Sequence, residues 1–109
     1  MELNFNKVTK SYLKIVFIDG RSFLVGTPNK NLLDKIMAMD SKLKTNNAND
    51  MSVDQVDELY KISGEMISVN KTNEKLTGKE LGEIWDVEDL ILFFNTYMTF
   101  LESITNLKN

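Results

Sequence analysis

The sequence predicts an α+β domain, an N-terminal antiparallel β-hairpin packed against three main helices, and three observations carry that prediction. Two β-branched and aromatic runs flank Asp19-Gly20. From Leu32 onward the apolar residues recur at helical spacing instead of alternating. Side chains that cap helix starts stand at Ser52, Thr77 and Asp86, each just ahead of such a pattern. The whole chain, 1–109, reads as one domain, with a hairpin region over 1–26 and a helical region over 27–109.

The hairpin is the clearest local signal. Ser11 to Val25 reads S-Y-L-K-I-V-F-I-D-G-R-S-F-L-V, and Asp19-Gly20 tolerates the positive φ angles of a two-residue type I′ turn. That turn sets Ile18 opposite Arg21, Val16 opposite Phe23 and Ile15 opposite Leu24. One face then carries Tyr12, Val16, Ile18, Phe23 and Val25, and the other Leu13, Ile15, Phe17 and Leu24. Both faces are apolar, whereas a sheet covered on one side alternates with polar residues. The hairpin is therefore expected either to be sandwiched or to offer one face to a partner. Two strands alone are marginal, and Met1 to Lys7, with Leu3 and Phe5 on one side, is a candidate third strand.

Thr27 and Pro28 suit the start of the first helix, as a capping hydroxyl and as a first residue whose missing N–H costs nothing there. Leu32, Leu33, Ile36, Met39 and Leu43 then form one modest stripe to about Lys44. Thr45 to Asp50 is a polar, turn-forming stretch. Ser52 and Gln55 make a capping box for the second helix, whose narrow polar face holds Asp54, Asp57, Glu58, Lys61 and Glu65 and is read as solvated surface. After the polar loop from Asn70 to Lys75, Thr77 and Glu80 form another capping box for a short helix to Glu83 or Ile84, with Trp85 as an anchor.

Asp86 caps the last helix, around which the chain is organised. Leu90, Phe93, Phe94, Tyr97, Phe100, Leu101, Ile104 and Leu107 fall on one side of it, with Val87, Ile91 and Met98 along the edge. That apolar arc is about 200° wide, as is that of the second helix, against roughly 100° for an ordinary surface helix. Surplus apolar surface of this kind suits partner binding, and six methionines add adaptable thioethers to it. The candidate partner-binding residues are Tyr60, Phe93, Phe94, Tyr97, Phe100, Leu101 and Ile104.

Composition narrows the chemistry. The chain has no cysteine and no histidine, which removes the usual zinc ligands, the Cys-His and Ser-His nucleophiles and the side chain best suited to proton transfer near neutral pH. No catalytic, cofactor-binding or metal-binding residues are assigned, and an enzyme is not expected. A net charge of −3 with singly scattered Lys and Arg argues against nucleic acid, whose affinity comes largely from neutralising phosphates. No run is apolar enough for a membrane span, and Met1 to Lys7 lacks the apolar core of a signal peptide, so the expected location is inside a cell. Glu80, Glu83, Asp86, Glu88 and Asp89 could be imagined as a hard-metal or carboxylate site, but each stands at a helix cap or first turn, where negative charge is stabilising without chemistry. Thr77-Gly78-Lys79 lacks the leading strand and glycine of a phosphate loop.

The order of elements, with M-E-L-N-F-N-K-V-T-K-S-Y-L-K-I-V-F-I-D-G-R-S-F-L-V-G-T-P-N-K at the start and W-D-V-E-D-L-I-L-F-F-N-T-Y-M-T-F-L near the end, resembles the small tail assembly chaperones of long non-contractile-tailed phages of Gram-positive bacteria. The resemblance covers most of the chain and lies in pattern and size. It implies a non-enzymatic protein of the host cytoplasm that oligomerises, coats the long hydrophobic helices of the tape measure protein until the tail tube forms, and is absent from the mature virion. It carries over no catalytic residues. A structural subunit of a phage tail or connector and a small regulator that binds a host protein are the alternative expectations.

Overall fold

A computed structural model describes residues 1–5, 10–45 and 50–105. The chain is α+β, with the order β1 (Leu13–Val16), β2 (Ser22–Val25), α1 (Lys30–Thr45), α2 (Val53–Ile67), α3 (Gly78–Ile84) and α4 (Val87–Thr105). The three expected main helices, α1, α2 and α4, accompany the hairpin, and the expected short helix is α3. Of the candidate third strand, residues 1–5 form no strand and residues 6–9 lie outside the described residues. So do residues 46–49 of the polar stretch before α2 and residues 106–109, Leu107 among them.

The hairpin is present, but its register is one residue away from the expected one. Leu13 pairs with Val25, Lys14 with Leu24, Ile15 with Phe23 and Val16 with Ser22. The cause is the turn. The Gly20 N–H donates to the Phe17 carbonyl at 2.9 Å, Phe17 N–H donates to the Arg21 carbonyl at 2.8 Å, and Gly20 takes the positive φ of 94°. Ile18, Asp19 and Gly20 thus form a three-residue loop with glycine in the left-handed position, not a two-residue type I′ turn. Asp19 holds it by accepting from the Arg21 backbone N–H and from its guanidinium, both at 3.0 Å. Those bonds, the backbone one first, keep the Asp19 carboxyl below its ordinary range.

A slip of one residue regroups every side chain. Leu13, Ile15, Phe17, Phe23 and Val25 now share the face toward the core, where Phe17, Phe23 and Val25 are buried. The other face holds Lys14, Val16, Ser22 and Leu24, all exposed. The hairpin is covered on one side only.

The helix starts follow the capping chemistry. Ser52 and Gln55 close the capping box of α2, and Thr77 and Glu80 that of α3. Asp86 Oδ1 accepts the Asp89 N–H at 2.9 Å while Asp89 Oδ2 accepts the Asp86 N–H at 3.2 Å, so two of the acidic residues serve the start of α4. For α1 the cap is Asn29, whose side chain accepts the Leu32 N–H at 3.0 Å, and Thr27 and Pro28 precede the helix. The polar face of α2 is partly engaged, since Lys42 of α1 pairs with Glu58 and Lys35 with Glu65.

One hydrophobic core joins the inner face of the hairpin to all four helices. Backbones approach closely in the passage from α2 to α3. A Cβ on Gly64 would lie 2.8 Å from the Gly78 nitrogen, and one on Gly78 would lie 2.8 Å from the Lys61 Cα, so both positions exclude any side chain. Between them, buried Asn70 donates to the Ile67 and Glu74 carbonyls at 2.7 Å and accepts from the Thr72 and Glu74 N–H groups. This pinned loop also closes one edge of the sheet. Gly26 N–H donates to the Val69 carbonyl at 2.7 Å and Lys71 N–H to the Leu24 carbonyl at 3.0 Å.

Candidate functional site

The opposite edge of the sheet is open among the described residues. In an antiparallel pair the residues alternate between those that exchange backbone hydrogen bonds with the partner strand and those whose groups point away. The Phe17–Arg21 bond fixes that phase, so Ile15 and Leu13 bond to β2, while the N–H and C=O groups of Lys14 and Val16 point outward. On β2 the same alternation points Leu24 outward, where Lys71 meets it. Nothing among the described residues does the same for β1, which is one strand of a two-stranded sheet.

Alongside β1, between it and α4, lies an apolar cleft of about 300 Å³. Ile15, Val16, Trp85, Leu92 and Phe93 line it, with Asp89 and Thr96 as its polar members. The sequence builds it in two ways. The Trp85 N–H closes the end of α3 by donating to the Leu81 carbonyl, and Asp86 immediately starts α4, so the indole is held at a corner. Trp85 and Phe93 rings stand 5.2 Å apart, and Trp85 and Phe17 rings 5.1 Å apart, which joins the hairpin to α4 through aromatic contacts. The row continues through Tyr97 to Phe100 at 5.9 Å steps. On the rims, Val16 is 63% and Leu92 66% exposed. Large apolar side chains flanking an apolar floor mark an interaction surface more than scattered exposed ones do.

The candidate partner-binding residues do not come together as one surface. Phe93, Phe94, Tyr97 and Leu101 are buried in the core. The physical reason is that α4 is packed from more than one direction. α2 and the corner at Trp85 cover it, and the Tyr97 hydroxyl reaches the Gly26 carbonyl at 3.3 Å at the end of the hairpin. The wide arc is thus spent mostly inside the domain. Burial also raises the Tyr97 phenol well above its ordinary range. Of the remaining three, Tyr60 is half-buried on α2 and donates its hydroxyl to the Trp85 carbonyl at 2.8 Å. Its phenol is raised by burial first, then by the charges of Asp86 and Asp89. Phe100 is half-buried, and Ile104 is exposed roughly 18 Å along the helix from Leu92. Only Phe93 contributes to the cleft.

Leu92 and Val16 are what sequence reasoning missed. Leu92 lies off the apolar arc of α4 among polar positions, and a large aliphatic residue stranded on a polar face was the available signal. Val16 was placed with buried Phe23 by the shifted register. Among the described residues, no helix is long and apolar enough to cross a membrane, and no group of acidic side chains is arranged to hold a metal ion. Comparison with protein families, with curated proteins and with solved structures gave no match to this chain.

Proposed function

We propose that this protein is a non-enzymatic phage tail assembly chaperone that self-associates and binds the hydrophobic helices of the tape measure protein before the tail tube assembles. The observation that supports this reading best is the open cleft between β1 and α4, apolar in its floor and in both rims. An amphipathic helix laid there would bury its apolar face against Trp85, Phe93 and Leu92, in the helix-in-groove mode of recognition. Removal of apolar surface from water, at about 25 cal/mol per Å², supplies the affinity without a sequence-specific contact. In this reading the protein acts in the host cytoplasm and leaves before the virion is complete.

The test is co-expression with apolar helical fragments of a tape measure protein, followed by capture and measurement of how much fragment stays in solution. The wild-type chain is expected to keep the fragments soluble, and Leu92→Asp to lose most of that effect while remaining folded. Equal capture by the Leu92→Asp chain would remove the cleft from the proposal. Mass spectrometry of purified particles separates this reading from a tail or connector subunit, since a chaperone is absent from them.

A further inference from the structure

The first five residues and the free edge of β1 have complementary needs. Leu3 and Phe5 are each 70% exposed and alternate with Glu2 and Asn4, so in an extended conformation the two apolar side chains share one side. Among the described residues, nothing pairs with the outward backbone groups of Lys14 and Val16, which stand beside an apolar cleft. We infer that this edge and cleft receive residues 1–5 of a second copy of the chain, added as a third strand.

Three features select that occupant. An added strand satisfies the outward N–H and C=O groups of Lys14 and Val16, which a docked side chain alone does not. Its alternation fits the two sides of the edge. With Leu3 and Phe5 directed into the cleft, toward Ile15, Trp85 and Phe93, Glu2 and Asn4 fall on the outer face of the sheet. There Lys14, which has no carboxylate partner among the described residues, meets Glu2 as the opposite charge. Finally, a chain's own residues 1–5 lie outside its sheet, and among the described residues no other segment takes this edge. Each copy offers one arm and one edge, and this head-to-tail pairing can continue from copy to copy. The inference concerns self-association and does not depend on which client the cleft also admits. A client helix and the arm would compete for the same floor.

The chain has no cysteine, which makes the test clean. Phe5→Cys in a tagged chain is mixed with Leu92→Cys in an untagged one, and the pair is oxidised by air with a copper catalyst. Because each chain carries one thiol, a disulfide between tagged and untagged chains reports an arm in a neighbour's cleft. Its yield is expected to exceed that with Val53→Cys, an exposed position outside the cleft, by roughly 10-fold, from the effective concentration that docking creates. Deletion of residues 1–5 is expected to shift association measured by light scattering to higher protein concentration. Equal yields at the two positions, unchanged association on deletion, or an intrachain disulfide as the main product of a Phe5→Cys, Leu92→Cys double variant would each overturn the inference. A chain that crosslinks in trans but does not hold tape measure fragments in solution would count against the chaperone proposal alone. One that holds them without crosslinking would count against the arm alone.

Discussion

The two edges of the hairpin make an instructive pair. The β2 edge is closed by residues 69–71, which follow α2, the helix that carries Gly64, and here stand the close mutual approach of Gly64 and Gly78 and the hydrogen bonds of Asn70. The β1 edge has no partner strand among the described residues, and beside it lies a cleft with exposed apolar rims. Among the described residues, the same two short strands are thus fixed from one side and not from the other. Stability is concentrated where backbone groups are paired and side chains are excluded. The proposed binding surface lies at the other edge.

The contrast can be broken from its rigid side first. Gly64→Ala sets a methyl group 2.8 Å from a backbone nitrogen and is expected to cost about 3 kcal/mol, read as a lower urea midpoint at unchanged slope. Asn70→Ala leaves the Ile67 and Glu74 carbonyls and the Thr72 and Glu74 N–H groups without their partner, for a loss of about 2 kcal/mol by the same measurement. A loss below about 0.5 kcal/mol for either would mean that the closed edge is no more tightly specified than the open one.

Alkaline pH acts on the interior that the two regions share. Tyr97 and Tyr60 both hold their phenolic protons more tightly when folded than the ordinary pKa of 10.0. The folded state therefore keeps protons that the unfolded state releases above that value. Stability contributed by these neutral phenols is full below pH 10.0 and falls as pH rises above it. Denaturation midpoints taken across that range check the sign, and Tyr97→Phe is expected to remove part of the fall. The smallest effect on stability belongs to the open side. Leu92→Asp, at an exposed position, is expected to change it by less than about 0.5 kcal/mol while removing binding. Unfolding by Leu92→Asp would show that this rim belongs to the core after all.

Much of the closed region was legible before the structure. Ser52 with Gln55, Thr77 with Glu80 and Asp86 carry their own short-range instructions, and α2, α3 and α4 begin where those side chains place them. The hairpin was legible as well, but not its register. Asp19-Gly20 is compatible with both a two-residue and a three-residue loop, and the choice rests on Arg21 binding back to Asp19 and on which face the core covers. Gly64 and Gly78 gave no warning, because their role depends on two helices meeting, which spacing along the chain does not encode. The wide arc of α4 was read as surplus surface. Apolar periodicity reports how much of a helix avoids water, not whether its own domain or a partner supplies the shelter, and here the domain buries Phe94, Tyr97 and Leu101 itself.

The corner at Trp85 has an optical consequence. It is the one tryptophan of the chain, it lines the cleft, and it is half-buried. Whatever enters the cleft replaces water at the indole, so the intrinsic emission of the unlabelled protein should move to shorter wavelength on occupancy. The molecule carries its own gauge of whether the cleft is filled.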